Sequence, residues 1–114
     1  MSNILKITAD VTTVNKGDAI ALDKTPLLGG AGREGILNIP VLPLTGVLKL
    51  QGAPANATGA APGASSTDWT DLVTIDSTSD QVQQIDDLPR WIRYSTTTMD
   101  ADGPDVNMFL EGVQ

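Results

Sequence analysis

Carboxylates are the residues of this chain best equipped to do chemistry, and they concentrate in two places. Asp86-Asp87 is an adjacent pair, and Asp100, Asp102 and Asp105 gather around a Gly-Pro step. Alternating carboxylates are how a calcium loop presents its oxygens, but here the closing bidentate Glu is missing and Pro104 intrudes, so the stretch reads as a solvated acidic turn. Paired carboxylates also run glycoside hydrolysis, which needs a sheltered cleft and rings for the sugar to stack on. Two Trp, one Tyr and one Phe are a thin supply. Ser65-Ser66 has no histidine to activate it, because the chain contains none, and a nucleophilic hydroxyl needs an adjacent base. There is no cysteine either, which excludes disulfides, thiolate zinc sites and thiol chemistry. Leu27-Leu28-Gly29-Gly30-Ala31-Gly32 has the glycines of a phosphate cradle without its spacing or the Lys-Ser/Thr that follows, and reads as a surface loop. No catalytic, cofactor-binding or metal residue is assigned, and the chain reads as a non-enzyme.

Recognition is the remaining class. Trp69 and Trp91 read first as core or sheet-face residues, and second as interface anchors beside Arg90 or Arg93, since Trp and Arg are enriched at hot spots. Leu27, Leu28 and Arg33 join Trp69, Arg90 and Trp91 as candidate partner-binding residues. The first three lie in residues 23–44, where apolar residues mixed with Gly and Pro read as an extended arm. Seven Lys+Arg against fourteen Asp+Glu give a net charge of −7, so a nucleic-acid partner, which needs a basic face, is not expected. No run approaches the roughly 20 apolar residues of a membrane span, and the N-terminus carries no secretion signal, so no membrane partner and a cytoplasmic origin are expected.

The elements that must position these residues are strands. The 114 residues amount to one domain, 1–114, rich in Thr, Val and Ile and punctuated by eleven Gly and seven Pro. Ile7-Thr8-Ala9-Asp10-Val11 alternates at the strand period, and Asn15-Lys16-Gly17-Asp18 reads as a turn. Strands are expected at Ala19–Leu22, Thr45–Gln51 and Asp68–Ile75, with an edge strand or arm over Ile36–Leu44, where Pro40 and Pro43 deny ladder donors. Residues 52–67 are a low-complexity Ala/Gly/Pro stretch expected to be a flexible loop. Residues 77–87 accommodate a helical turn or a connector. Arg90–Thr97 and Asp105–Glu111 flank an Asp-Gly-Pro turn and are expected to pair as a hairpin, with Tyr94 opposite Leu110 and Arg93 opposite Glu111. Six to eight short strands in one domain predict an all-β fold, an antiparallel β-sandwich of jelly-roll-like form with long loops.

Two groups of segments carry a resemblance. One is Gly46-Val47-Leu48-Lys49-Leu50-Gln51-Gly52, followed after a loop by Trp69-Thr70-Asp71-Leu72. The other is Leu88-Pro89-Arg90-Trp91-Ile92-Arg93 with the closing Val106-Asn107-Met108-Phe109-Leu110-Glu111-Gly112-Val113-Gln114. Together, over roughly residues 45–114, they resemble the small β-sandwich virion proteins of tailed bacteriophages, in particular capsid decoration (cement) proteins. The Ala/Gly/Pro loop before Trp69 departs from the short Asp/Gly-rich loop of that pattern. The resemblance implies a structural protein on the capsid exterior, assembled in the bacterial host cytoplasm, whose partner is the major capsid protein. A self-associated homotrimer at a symmetric site is the expected assembly, because self-association covers sheet edges. The alternatives are a tail or head-fibre component, or a carbohydrate-binding β-sandwich module, against which the scarcity of rings counts.

The solvated reading of the acidic turn has a direct check. Millimolar calcium is expected to leave the melting temperature unchanged, whereas a real site raises it by mass action, reversibly with chelator.

Overall fold

The computed structural model describes residues 4–22, 34–54, 59–97 and 104–113. Its strands are β1 (Ile4–Ala9), β2 (Ile20–Ala21), β3 (Glu34–Asn38), β4 (Leu48–Ala53), β5 (Thr70–Ile75), β6 (Val82–Ile85), β7 (Trp91–Thr96) and β8 (Val106–Val113). They form two antiparallel four-stranded sheets, ordered β1-β8-β3-β6 and β2-β7-β4-β5. The wiring follows one rule. β4 pairs with β5, β3 with β6, β2 with β7 and β1 with β8, so the chain is a single long hairpin folded at its middle. Rolling up that double ribbon adds the β8–β3 and β7–β4 pairings. The antiparallel β-sandwich expected from the sequence is the fold observed.

Period-2 alternation builds the core. In β1, Ile7 and Ala9 point inward and are buried, while Lys6 and Thr8 face solvent. One apolar cluster gathers Leu37, Leu48, Leu50, Ile75, Met108 and Leu110 from both sheets. Each such side chain contributes about 1.5–3 kcal/mol by leaving water. A β-bulge interrupts the alternation where β4 meets β5: Leu50 pairs with Val73, but Gln51 pairs with Asp71, leaving Leu72 as the extra residue. Leu72 turns toward the core, and Asp71 is thereby returned to the outer face.

Several expectations are corrected. The β7–β8 hairpin does not form, since the two strands lie in different sheets. Ile92, Val106, Met108 and Leu110 do share one core, but across it rather than along a ladder. Alternation fixes which face a residue occupies and leaves its strand partner open. Tyr94 therefore pairs with Leu50, and Arg93 with Gln51, while Glu111 sits between Ile4 and Ile36 on the other sheet. β3, expected as an edge or arm, is interior, hydrogen-bonded to β8 and β6 on its two sides. Pro40 lies just beyond its end, where a missing donor costs nothing. Residues 23–33 of the expected arm lie outside the described residues. Residues 77–87 contain strand β6 rather than a helical turn, preceded by a tight turn in which Asp76 accepts from the Thr78 amide at 2.8 Å. Residues 15–17 are not a free turn. They continue along the edge of β7 beyond β2, with the Gly17 amide donating to the Tyr94 carbonyl at 2.9 Å. In the low-complexity stretch, Gly52 and Ala53 belong to β4 and Pro62 is buried.

Gly52 illustrates the density of this packing, because a Cβ there would run into the Pro89 ring and the Leu72 side chain. Gly52→Ala is expected to cost about 1–3 kcal/mol through overpacking. Gly63→Ala, with nothing within 4 Å of its Cβ position, is expected to be neutral within about 0.5 kcal/mol. Paired urea titrations check the contrast.

Candidate functional site

The outer face of the β2-β7-β4-β5 sheet carries a row of polar side chains set by register. Asp71, Gln51 and Arg93 stand side by side on β5, β4 and β7. Gln51 joins the row, donating from Nε2 to Asp71 Oδ1 at 3.0 Å and accepting from Arg93 Nε at 2.9 Å. Lys49, one step up β4, closes an ion pair with Asp71 Oδ2 at 2.9 Å. The Asp71 carboxyl is held below its ordinary value first by the Gln51 hydrogen bond and then by Lys49.

Arg93 is the unusual member. It lies on an outer face, yet it is only 3% exposed, because the loop between β4 and β5 folds over it. The Trp69 ring covers the guanidinium at 4.2 Å, a cation–π contact. Trp69 Nε1 donates to the Gly63 carbonyl at 3.0 Å, and Arg93 Nη1 donates to the Ala64 carbonyl at 3.0 Å. Lys16 Nζ reaches the same Ala64 oxygen at 3.3 Å. Burial pulls the Arg93 guanidinium below its ordinary value, but an arginine keeps its charge inside proteins. The β4–β5 loop is thus bolted down over residues 62–69, where the composition had pointed to flexibility. Beside the bolt opens a cleft of about 270 Å³ bounded by Lys16, Asp18, Pro62, Ala64, Trp69 and Arg93.

No family model matches the chain, and no curated protein and no solved structure is found similar to it.

Of the residues singled out in the sequence, Trp69 is at the centre of the site, buried as a lid rather than exposed as an anchor. Trp91 lies half-buried on the same outer face, opposite Ala21 and Ala53, and its buried Nε1 has no hydrogen-bond partner among the described residues. Arg90 is exposed at the start of β7, its carbonyl accepting from the Leu22 amide at 2.8 Å. Leu27, Leu28, Arg33, Asp100 and Asp102 lie outside the described residues, and Asp105 is exposed. Gln51, Asp71 and Lys16 went unrecognised as site residues. Their only sequence signal is polar residues at alternate positions, and assembling them needs a register that includes the bulge. Ser66 Oγ accepts from the Asp68 amide at 3.1 Å, so that hydroxyl is used to shape the loop.

Two outcomes follow from these bonds. Gln51→Leu strips the buried Arg93 Nε of its acceptor and is expected to cost about 1–3 kcal/mol, read from the urea midpoint. Because the folded Asp71 value lies below the ordinary 3.8, its contribution is present above that value and lost as pH falls through the folded one. Asp71→Asn is therefore expected to lower the urea midpoint near neutrality and to converge on the parent protein as the medium is acidified below that range.

Proposed function

We propose that the chain is a structural virion protein that decorates an assembled phage head, binding the major capsid protein through the outer face of the β1-β8-β3-β6 sheet. The observation carrying this reading is the contrast between the two outer faces. One is roofed by the protein's own β4–β5 loop, whereas the other exposes Ile4, Ile36 and Val82, at 51%, 38% and 58%, around the partly buried Phe109. Register makes these neighbours: Ile36 lies diagonal to Phe109 and to Val82, and Ile4 lies diagonal to Phe109, on a single sheet face. Glu111 stands directly between Ile4 and Ile36, and Lys6 beside Phe109, so apolar and charged side chains alternate across the face, a mixed surface of the kind that non-obligate protein interfaces use.

The nested pairing supports the jelly-roll form of the sandwich, an architecture used in viral capsid domains and in lectin domains. The segments around Trp69, Trp91 and the closing strand support the virion reading through their resemblance to decoration proteins. Many weak copies on one shell reinforce it by multivalency, and a charge of −7 keeps free copies apart. A homotrimer serves the same role by covering the β1 and β6 edges.

The test adds purified protein to undecorated heads of the phage whose genome encodes it, and to its isolated tails. Co-sedimentation with heads, with a raised head-disruption temperature, is expected; binding to tails alone overturns the proposal in favour of a tail component. The double variant Ile36→Lys/Val82→Lys is expected to stay folded, since both residues are already exposed, and to lose head binding at least about tenfold. Thr97→Lys, at the far sheet, is expected to bind as the parent does.

A further inference from the structure

The cleft beside Arg93 has a charge problem that the protein leaves unsolved. Arg93 is buried, and its partners are all neutral: the Gln51 amide, the Ala64 carbonyl and the Trp69 ring. Among the described residues no carboxylate pairs with it; both oxygens of Asp71 are taken by Lys49 and Gln51. Its Nη2 group has no hydrogen-bond partner among the described residues, and it is not sealed from solvent on a residue that lines the cleft. Lys16 aggravates the imbalance. Its ammonium and Arg93 Nη1 share the Ala64 oxygen, which puts two cationic nitrogens within about 6 Å of each other. A buried positive charge without a counter-charge is costly, and here two cations face one space.

We infer that this cleft is a binding site for a carboxylate group carried on a small polar molecule. Against Lys16 and Arg93 stands one carboxylate on the cleft wall, Asp18, so the local balance suits a monoanion better than a phosphate dianion. A planar carboxylate also matches the fork of guanidinium donors. A volume of about 270 Å³ is several times the ~30 Å³ share of a water, so the carboxylate arrives with a body attached. Asp18 can accept from that body's hydroxyl or amide donors, while Pro62 and Trp69 bound its apolar side. A sugar acid and an acidic amino-acid side chain both supply this chemistry. The site lies on the opposite sheet from the proposed head-binding face, and it stands or falls independently of that reading.

The full chain is titrated with glucuronate, with N-acetylglutamate amide, with glucose as the matched neutral ligand, and with inorganic phosphate. Binding is followed by the NMR signals of the Arg93 Nε–H and the Trp69 indole N–H. At least one of the two carboxylates is expected to shift both signals saturably, and which one does so identifies the source. Glucose is expected to bind at least about tenfold more weakly, the loss that follows from removing a charge-assisted hydrogen bond. Arg93→Gln removes the principal donor but also an anchor of the loop. Lys16→Gln, at an exposed position, keeps the fold and is expected to weaken carboxylate binding several-fold. The inference is overturned if neither carboxylate shifts the Arg93 signal at tens of millimolar, if glucose or phosphate binds as tightly as the better carboxylate, or if Lys16→Gln binds as the parent does.

Discussion

A guanidinium buried on the outer face of a sheet is the constraint around which half of this molecule is arranged. Arg93 stands on β7, in the interior of its sheet, where a sandwich ordinarily leaves polar side chains in water. Removing its hydration is costly unless its donors find replacements or keep a path to solvent. The replacements come from separate elements. Gln51 comes from the neighbouring strand, and Ala64 and Trp69 come from the loop that crosses above. A loop of Ala, Gly and Pro has little with which to hold itself down. Its carbonyls serve instead, and the buried charge supplies the donors that order it.

The bulge in β5 belongs to the same arrangement. Without the extra residue, strict alternation would turn Asp71 inward, into an apolar core that cannot solvate a carboxylate. With Leu72 inserted, Asp71 faces out, accepts from Gln51 and Lys49, and fixes the Gln51 amide so that its oxygen points at Arg93. An irregularity in one ladder thereby orients a hydrogen-bond chain running across three strands. The segment through Lys16 adds the last piece. Because residues 15–17 run along the edge of β7 rather than turning into solvent, the Lys16 side chain is delivered to the same carbonyl as Arg93.

The sequence made the faces legible and the partners illegible. Alternation in Ile7–Ala9 and in Val106–Leu110 reports correctly which side chains enter the core, because a strand with one buried face has no other solution. Strand pairing is a long-range choice. Asp-Gly-Pro between two alternating runs argues for a local hairpin, yet the ribbon wiring sends β7 and β8 to opposite sheets while their inward residues still meet in the core. The site suffered from the same gap. Trp69 was visible as a residue with two roles, but its covering of Arg93 depends on a loop closure and a bulge that no local pattern encodes. Prolines misled in the same way. Pro40 marks where β3 stops, not that β3 lies at an edge.

Net charge and local charge point in opposite directions here, and the distance scale decides which one a ligand feels. At −7 the molecule repels anions in general, but at physiological ionic strength that field fades over about 8 Å. Lys16 and Arg93 both line the cleft, and low exposure weakens the screening of Arg93. An extended polyanion must bring many charges against the acidic surface to place one of them in the cleft, so repulsion accumulates with its length. A compact monoanion meets that penalty once and then gains the donors that Arg93 holds unused. For the proposed site, the acidic surface thus favours a compact monoanion over an extended polyanion, because repulsion grows with the number of charges brought against it.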